Sequence, residues 1–554
     1  MVGSRSTQTM SAQLNFQNLT PSFASCSFVW VNRLCNVPAH NAAKLALSSS
    51  CFSYDNLLPP LRLACNADCP SHQKGNNKHL TCCLLTLKLN SLTLLCVHKL
   101  AIHIFIYPFQ FTKPFIESYI HFLQIIIGVE RKKERERDMK PKAVVVGGSI
   151  AGVSCAHTLI LAGWDVVVLE KTCEPIKGSP TGAGLGLDPL SQRLIQSWLD
   201  DPELLYSSTL PLTIDMNQAR DGEKEVSWTL TRDDNFNFRA AHWADLHGLL
   251  YNALPPNILL WGYLFLSFCI SEDKTSVKIK AKVLETDEEI EIVGNLLVAA
   301  DGSLSSIRQS FLPGLKLRYS GYCAWRGVFD FSGNENSETV VGIRNSYPEL
   351  GKCLYFDLGS ETHSVFYELP NKRLNWIWYV NQPEPELKRN SVTMKVSSEM
   401  IQKMHLEAEK VWVPEFVRVI QETKDPFLNF IYDTNPLEQI FWDNVVLVGD
   451  AAHPTTPHGL RSTNMSVLDA AVLGKCLAKN GAENLQAALR EYQTTRLPVV
   501  SKQVLHARRM GRIKQGLVLP DREAFDPKNS RSEDYQEVQQ KNMPFFDDVP
   551  LLLI

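Results

Sequence analysis

From about residue 139 onward, the apolar positions fall into two alternating periods. Residues 143–146 are continuously apolar, which fits a short strand buried on both faces. A turn follows, Gly147-Gly148-Ser149-Ile150-Ala151-Gly152. Residues 151–161 then have helical spacing, with Ala151, Gly152, Ser154 and Ala156 forming a small-residue side to meet a sheet. Gly163 ends the helix, and residues 165–169 form a second apolar strand running into Glu170. The pattern predicts a βαβ unit. Two later apolar strands end alike: residues 295–300 lead into Asp301-Gly302, and 445–448 into Gly449-Asp450. Beyond them Leu468, Ala471, Val472 and Cys476 repeat at helical spacing, with Asn464 as the expected cap and Asn480-Gly481 as the end. Residues 311–433 read as strands rich in aromatics: Tyr319, Tyr322, Trp325, Tyr355, Phe366, Tyr367, Trp376, Trp378 and Tyr379.

The first 138 residues lack such order. Residues 1–50 contain no Asp or Glu and are rich in Ser, Asn and Ala, as in organelle transit peptides. The apolar stretch 80–128 is interrupted by Lys88, His98, Lys99, His103, Pro108 and Lys113, so it makes a poor membrane span. A charged run, residues 131–138, precedes Met139. The expectation is that Met139 is the true start and that 1–138 is upstream sequence of an over-long gene model. A disordered extension, a transit peptide and a membrane anchor are the alternatives. The protein would then be cytoplasmic, or plastid or membrane-associated if 1–138 are native.

Composition narrows the class. Apolar residues make up 44% and charged residues 21% of the 554 residues, as in globular proteins, and the net charge of −3 gives no reason to expect nucleic acid as partner. No pair among the 14 cysteines has the C-x2-C spacing of a zinc site, so no metal site is expected, and scattered single cysteines fit a reducing compartment.

The glycine turn carries a specific chemistry. Glycine lets the chain turn sharply and lets backbone N–H groups approach a pyrophosphate at a helix N-terminus, while an acid ending the second strand receives a ribose hydroxyl. Glu170 lies 23 residues after Gly147, close to the spacing this needs. The middle glycine of the usual G-x-G-x-x-G is Ser149 here, with Gly148 before it. A βαβ unit without a ligand is the bland alternative. Three strand ends, each delivering a turn or an acid, imply one long ligand threaded across the carboxyl edge of a sheet.

The glycine turn, Asp301-Gly-x-x-Ser305-x-x-Arg308 and Gly449-Asp450-Ala451-Ala452-His453-Pro454 together resemble the FAD-dependent aromatic hydroxylases, over about residues 139–510. Gly182-Ala-Gly-Leu-Gly-Leu, Tyr492 and Arg496-Leu-Pro498 agree. GGSIAG together with Tyr319-Ser-Gly-Tyr-Cys-Ala-Trp325-Arg326-Gly327 is most similar to the 2,6-dihydroxypyridine hydroxylase branch, plant members included. The resemblance implies an α/β fold: a discontinuous Rossmann-like FAD-binding domain (139–208, 239–310, 434–510) with an inserted mixed β-sheet substrate domain (209–238, 311–433). Residues 511–554 are a tail to which the sequence gives no role.

The resemblance also implies the activity: an FAD- and NAD(P)H-dependent monooxygenase acting on an electron-rich aromatic or heteroaromatic small molecule with O2, through a flavin C4a-hydroperoxide. FAD is the cofactor and NAD(P)H a transient one. Another FAD oxidoreductase of the same fold, or a flavin-binding protein without turnover, is the alternative, and a homodimer is a candidate assembly. Gly147, Gly148, Ser149, Ile150, Ala151, Gly152, Glu170, Lys171, Asp301, Gly302, Arg308, Gly449, Asp450, Pro457, Gly459 and Asn464 are the expected cofactor-binding residues. Glu170 would take the adenosine ribose, Asp450 the ribityl chain and Arg308 the neighbourhood of the pyrophosphate. Trp243 stands where many members have Arg. Tyr322, Trp325 and His458 are the substrate candidates, although aromatics in strands are more often core. His453 reads as structural, and no catalytic base is identified. Family members usually have Gly-Gln-Gly at Leu460, Arg461 and Ser462. The expectation is a retuned loop with φ below zero, in which Arg461 places positive charge near the flavin.

Overall fold

The structure is a computed structural model that describes residues 29–31, 82–84, 140–174, 182–221, 226–386, 391–394 and 396–539. The chain divides into two units, residues 1–138 and 139–554. In the first, Val29–Val31 pairs antiparallel with Cys82–Leu84. The expected gene-model extension, transit peptide or anchor otherwise lies outside the described residues. No helix among the described residues is long and apolar enough to cross a membrane.

The second unit is built on two large sheets. A six-stranded sheet runs, edge to edge, through Leu259–Trp261, Asp165–Glu170, Lys142–Val146, Leu296–Ala299, Val445–Leu447 and Phe441–Trp442. Neighbours are parallel except the last pair. Its strands are continuous apolar runs because both faces are covered: Ala143, Val144, Leu297 and Val446 are wholly buried. Register brings three strand ends level. Val146 lies opposite both Leu169 and Ala299, and Ala299 opposite Leu447. The turns after them therefore open on one carboxyl edge, where ligands of such sheets bind. Helices Ile150–Leu161 and Ser462–Asn480 pack together above it. Gly474 permits the contact, since a Cβ there would sit 2.5 Å from the Thr158 Cβ.

An eight-stranded mixed sheet carries Arg318–Asp330 between Phe427–Asp433 and Arg373–Asn381. Side chains alternate between its faces. Cys323, Trp325 and Phe329 join Tyr355, Phe366, Trp376 and Trp378 on one face, under Trp412 and Phe416. Tyr322 and Ala324 join Tyr367, Ile377 and Tyr379 on the other. That second face is closed by the end of the long helix Leu485–Lys514 and the segment after it, through Ile513, Leu519, Phe525 and Val538. The architecture is a Rossmann-like parallel sheet with a mixed β-sheet region beside it.

Candidate active site

The first turn has no room for side chains. Gly147 has φ +103°, donates its N–H to Leu169 O at 2.9 Å, and a Cβ there would lie 2.3 Å from Ala300 O. A Cβ on Gly152 would lie 1.8 Å from Gly147 O, so the helix rises directly against the turn. Gly148 N–H donates to Glu170 Oε2 at 2.7 Å, and Glu170 Oε1 accepts from Thr172 N and Oγ1 at 2.9 and 2.8 Å. Ser149 is exposed at the N-cap without a side-chain cap bond, Ile150 is buried, Ala151 half-buried and Lys171 exposed. His247 Nε2 lies 2.7 Å from Gly148 O and stacks on Trp243 at 5.2 Å, so the residue in the unusual position braces the turn through one ring.

The other two strand ends are tied to each other. Arg308 is buried, and its guanidinium donates to Ser303 O at 2.5 Å, Ala451 O at 2.8 Å and Asp450 O at 3.3 Å. It joins the Asp301 and Asp450 turns through their carbonyls. Gly302 has φ +82°. Asp301 Oδ2 accepts from Ile307 N at 3.3 Å, while its buried Oδ1 has no partner. Gly449, φ +56°, donates its N–H to Asp469 Oδ2 at 2.8 Å. Asp469 also takes His453 Nε2 at 2.6 Å and Arg496 Nε at 2.7 Å, all three buried. His453 is thus spent on holding the strand end. Burial raises the Asp450 carboxyl above its usual range, against the Ser462 hydroxyl that donates to it at 2.8 Å.

The loop after Pro454 walls a cavity of about 280 Å³. Pro457, His458, Gly459, Asp450 and Ser303 line one side; Arg326, Tyr367, Tyr379, Phe356 and Ile377 line the sheet side. Three expectations for this loop are corrected. Leu460 has φ +55°, not a negative value, so a leucine occupies the left-handed region that favours glycine. Arg461 does not lend unbalanced charge: it pairs with Asp188 at 2.8 Å and covers the Phe238 ring at 5.0 Å. Asn464 is not the cap, because the helix starts at Ser462; its amide instead reaches Gly186 O at 2.8 Å and accepts from Asp188 N at 3.0 Å. The helix still ends at Asn480, and its first residues, Ser462 and Thr463, line the cavity. The positive end of the helix therefore faces it.

The FAD binding domain family matches residues 388–507. The 6-hydroxynicotinate 3-monooxygenase of Pseudomonas fluorescens is 26% identical over 371 residues, 65% of this chain and 89% of that protein. The 2,6-dihydroxypyridine 3-monooxygenase of Paenarthrobacter nicotinovorans is 24% identical over 375 residues, 64% of this chain and 87% of that protein. Among solved structures, 2,6-dihydroxypyridine-3-hydroxylase from Arthrobacter nicotinovorans superposes with a TM-score of 0.58 at 22% identity, covering 70% of this chain and 96% of that one. The domain match and these relatives support a place among the FAD-dependent aromatic hydroxylases. The residues present fit FAD: a glycine turn at a helix N-terminus, Glu170, a buried Asp301 oxygen without a partner, and Asp450 at the cavity wall.

The three substrate candidates are split. His458 lines the cavity. Tyr322 is fully buried behind it, its hydroxyl 3.4 Å from His458 Nδ1. Trp325 points to the opposite face of the sheet, since a strand has period two and Trp325 is an odd number of residues from Tyr322. Of the nine strand aromatics, Tyr367 and Tyr379 reach the cavity. Sequence reasoning missed three groups here. Arg326 lines the cavity, and its buried Nε has no partner; a cation interrupting the apolar run from Tyr322 to Phe329 was the available signal. His363 lies 3.2 Å from His458, Nε2 to Nε2. Lys514 is buried over the Phe356 ring at 3.4 Å with Nζ donating to Asn217 Oδ1 at 2.8 Å, and burial pulls its ammonium down to about 7, Asp215 opposing. No local signal marked either of the last two.

Proposed function

We propose that this chain hydroxylates a small, hydroxyl-bearing aromatic or heteroaromatic ring, using FAD, NAD(P)H and O2. One observation carries the reading. The loop that follows the third strand end, from Asp450 to Ser462, where the ribityl end of the dinucleotide is expected, is also a wall of the ring-sized cavity. FAD would supply the activation of O2 there. The protein's part is to place a ring and exclude water. Apolar Phe356, Val365 and Ile377 offer a flat seat, while Tyr367, Tyr379, Arg326 and His458 give polar contacts around it. The Tyr367 hydroxyl is buried without a partner, and Arg326 adds positive charge, so a ring with oxygen substituents and negative character fits. The names of the relatives, 6-hydroxynicotinate and 2,6-dihydroxypyridine monooxygenases, support a hydroxylated nitrogen heterocycle as the class.

The test is a screen of hydroxylated pyridines and benzoates against the purified yellow protein, following NAD(P)H oxidation and incorporation of labelled O2. The expected result is a ring that accelerates flavin reduction and leaves carrying one labelled oxygen. Flavin reduction that no ring accelerates, with no labelled product, refutes the reading.

A further inference from the structure

Both polar groups of Gly148 are held by side chains from outside the turn. Its N–H donates to Glu170 Oε2 at 2.7 Å, and its carbonyl faces His247 Nε2, also at 2.7 Å. A carbonyl oxygen only accepts, so His247 carries a proton on Nε2. Burial lowers the His247 pKa, against its bond to Gly148 and the nearby Glu170, so the ring acts at neutral pH as an uncharged donor. Its orientation is fixed by neighbours. Trp243, His247 and Tyr251 follow at four-residue steps on the helix Trp243–Asn252 and stand on one face of it. Trp243 stacks on the imidazole at 5.2 Å and 17°, Tyr251 at 6.3 Å and 9°, and Trp261 meets its edge at 6.2 Å. Trp261 lies opposite Glu170 in the sheet, so the aromatic clamp and the acid share one edge. The helix itself is tied to the one that follows the turn: His157 Nε2, on Ile150–Leu161, lies 2.8 Å from the Leu250 carbonyl.

A trans peptide group is planar, so its C=O and N–H point opposite ways. The Gly148 carbonyl is turned to a buried imidazole, so the N–H of the next residue, exposed Ser149, is turned to the open side. Two adjacent glycines make this turn easy to disturb. Flipping the Gly148–Ser149 peptide changes ψ at Gly148 and φ at Ser149, and a residue without Cβ resists such a change least. A flipped peptide would present a carbonyl oxygen to an incoming anion. The Gly148 N–H offers no substitute, because Glu170 already takes it. We propose that His247 is a positioning residue for the FAD pyrophosphate: its Nε2–H holds the Gly148–Ser149 peptide so that Ser149 N–H, with the N–H groups of the helix's first turn, faces the phosphates. The inference rests on the FAD part of the function proposed above, and on no particular ring as substrate.

The test is FAD binding by the full-length chain stripped of flavin, read from the change in flavin fluorescence and needing no substrate. His247→Phe keeps a ring in the aromatic clamp and removes the donor. His247→Gln removes the ring and keeps an N–H near the place of Nε2. FAD should bind His247→Phe about tenfold more weakly or worse, because a freed carbonyl must be turned back before the phosphates can dock. His247→Gln should recover most of that loss. Ser149→Pro removes the N–H itself, at a residue whose φ of −76° suits proline. It should bind FAD more weakly while the flavin-free chain melts as wild type does. Wild-type affinity in His247→Phe overturns the proposal, even if that variant melts earlier, since the bond would then serve the fold alone. Equal weakening in His247→Phe and His247→Gln overturns it too, because the ring and not the donor would matter, and so does wild-type affinity in Ser149→Pro. The expected affinities in a protein that hydroxylates no ring would sink the proposed function alone.

Discussion

Asp469 gathers three donors at the third strand end, and replacing it by Asn tests the account of that end. Its Oδ2 accepts from Gly449 N and His453 Nε2, and its Oδ1 from Arg496 Nε, at 2.8, 2.6 and 2.7 Å. All three partners donate. An asparagine has one accepting atom, so either orientation turns an NH2 group against a donor. Arg496, fully buried, also loses its counter-charge. Breaking a buried pair from one side costs about 3–5 kcal/mol. At roughly 2 °C per kcal/mol for a domain of this size, the melting temperature should fall by about 6–10 °C.

The same substitution frees the Gly449 N–H, so FAD should leave before the fold melts. Thermal scans following flavin fluorescence and far-ultraviolet circular dichroism together would show the flavin transition moving first. Burial alone would raise the Asp469 carboxyl, yet His453 and Arg496 outweigh it and hold it below the usual range. A depressed acid stabilises the fold above its unfolded pKa and loses that contribution as pH falls through the folded one. The gap between wild type and variant should therefore close below about pH 4. An Asp469→Asn protein that melts within 2 °C of wild type (roughly 1 kcal/mol) and keeps its flavin would refute the reasoning.

Arg461→Gln should leave the flavin midpoint potential nearly unchanged, because Asp188 already balances that charge. It should still lower the melting temperature, and Asp188→Asn added to it should restore part of the loss. Gly474→Ala should destabilise by about 1–3 kcal/mol in thermal melts, since its methyl meets Thr158 where two helices touch. Lys514→Met tests a cation whose folded pKa is depressed to about 7. The unfolded chain binds the extra proton between pH 7 and the ordinary lysine value, so wild-type stability rises through that window. The melting-temperature advantage of Lys514→Met should shrink from pH 6 to pH 9.

The cofactor half of this protein was legible because its signals are local. A buried parallel strand needs an apolar run, a turn at a helix N-terminus needs glycine, and both appear within some 30 residues of sequence around Gly147. The mixed-sheet half was legible only as composition. Which strand aromatics reach the cavity depends on a one-residue phase, and that phase is set by pairing: Trp325 lies opposite Trp378, and Ala324 opposite Tyr379. Arg326 shares a face with Tyr322 for the same reason. The His458–His363–Gln515 chain joins a loop, a strand and the end of a helix, with 95 residues between the two histidines and 152 between His363 and Gln515. No spacing rule spans such distances.

The loop from Leu460 to Ser462 shows the limit most clearly. Without glycine there, the sequence suggested a changed backbone and a free arginine. The backbone instead keeps the left-handed turn with a leucine, at a strain of about 1–2 kcal/mol. The Leu460 side chain can offset part of that by packing against Gly186, where a Cβ would lie 2.8 Å from Leu460 Cδ1. Gly186 thus makes room for the leucine, Asp188 neutralises Arg461, and Asp450 receives Ser462. Two of those three partners lie more than 270 residues upstream of the loop. The substitutions preserve the shape of the cavity wall because the strand Gly184–Leu187 and the residue after it are matched to them, so a single change back toward glycine at Leu460 would leave a gap over Gly186 rather than restore a simpler site.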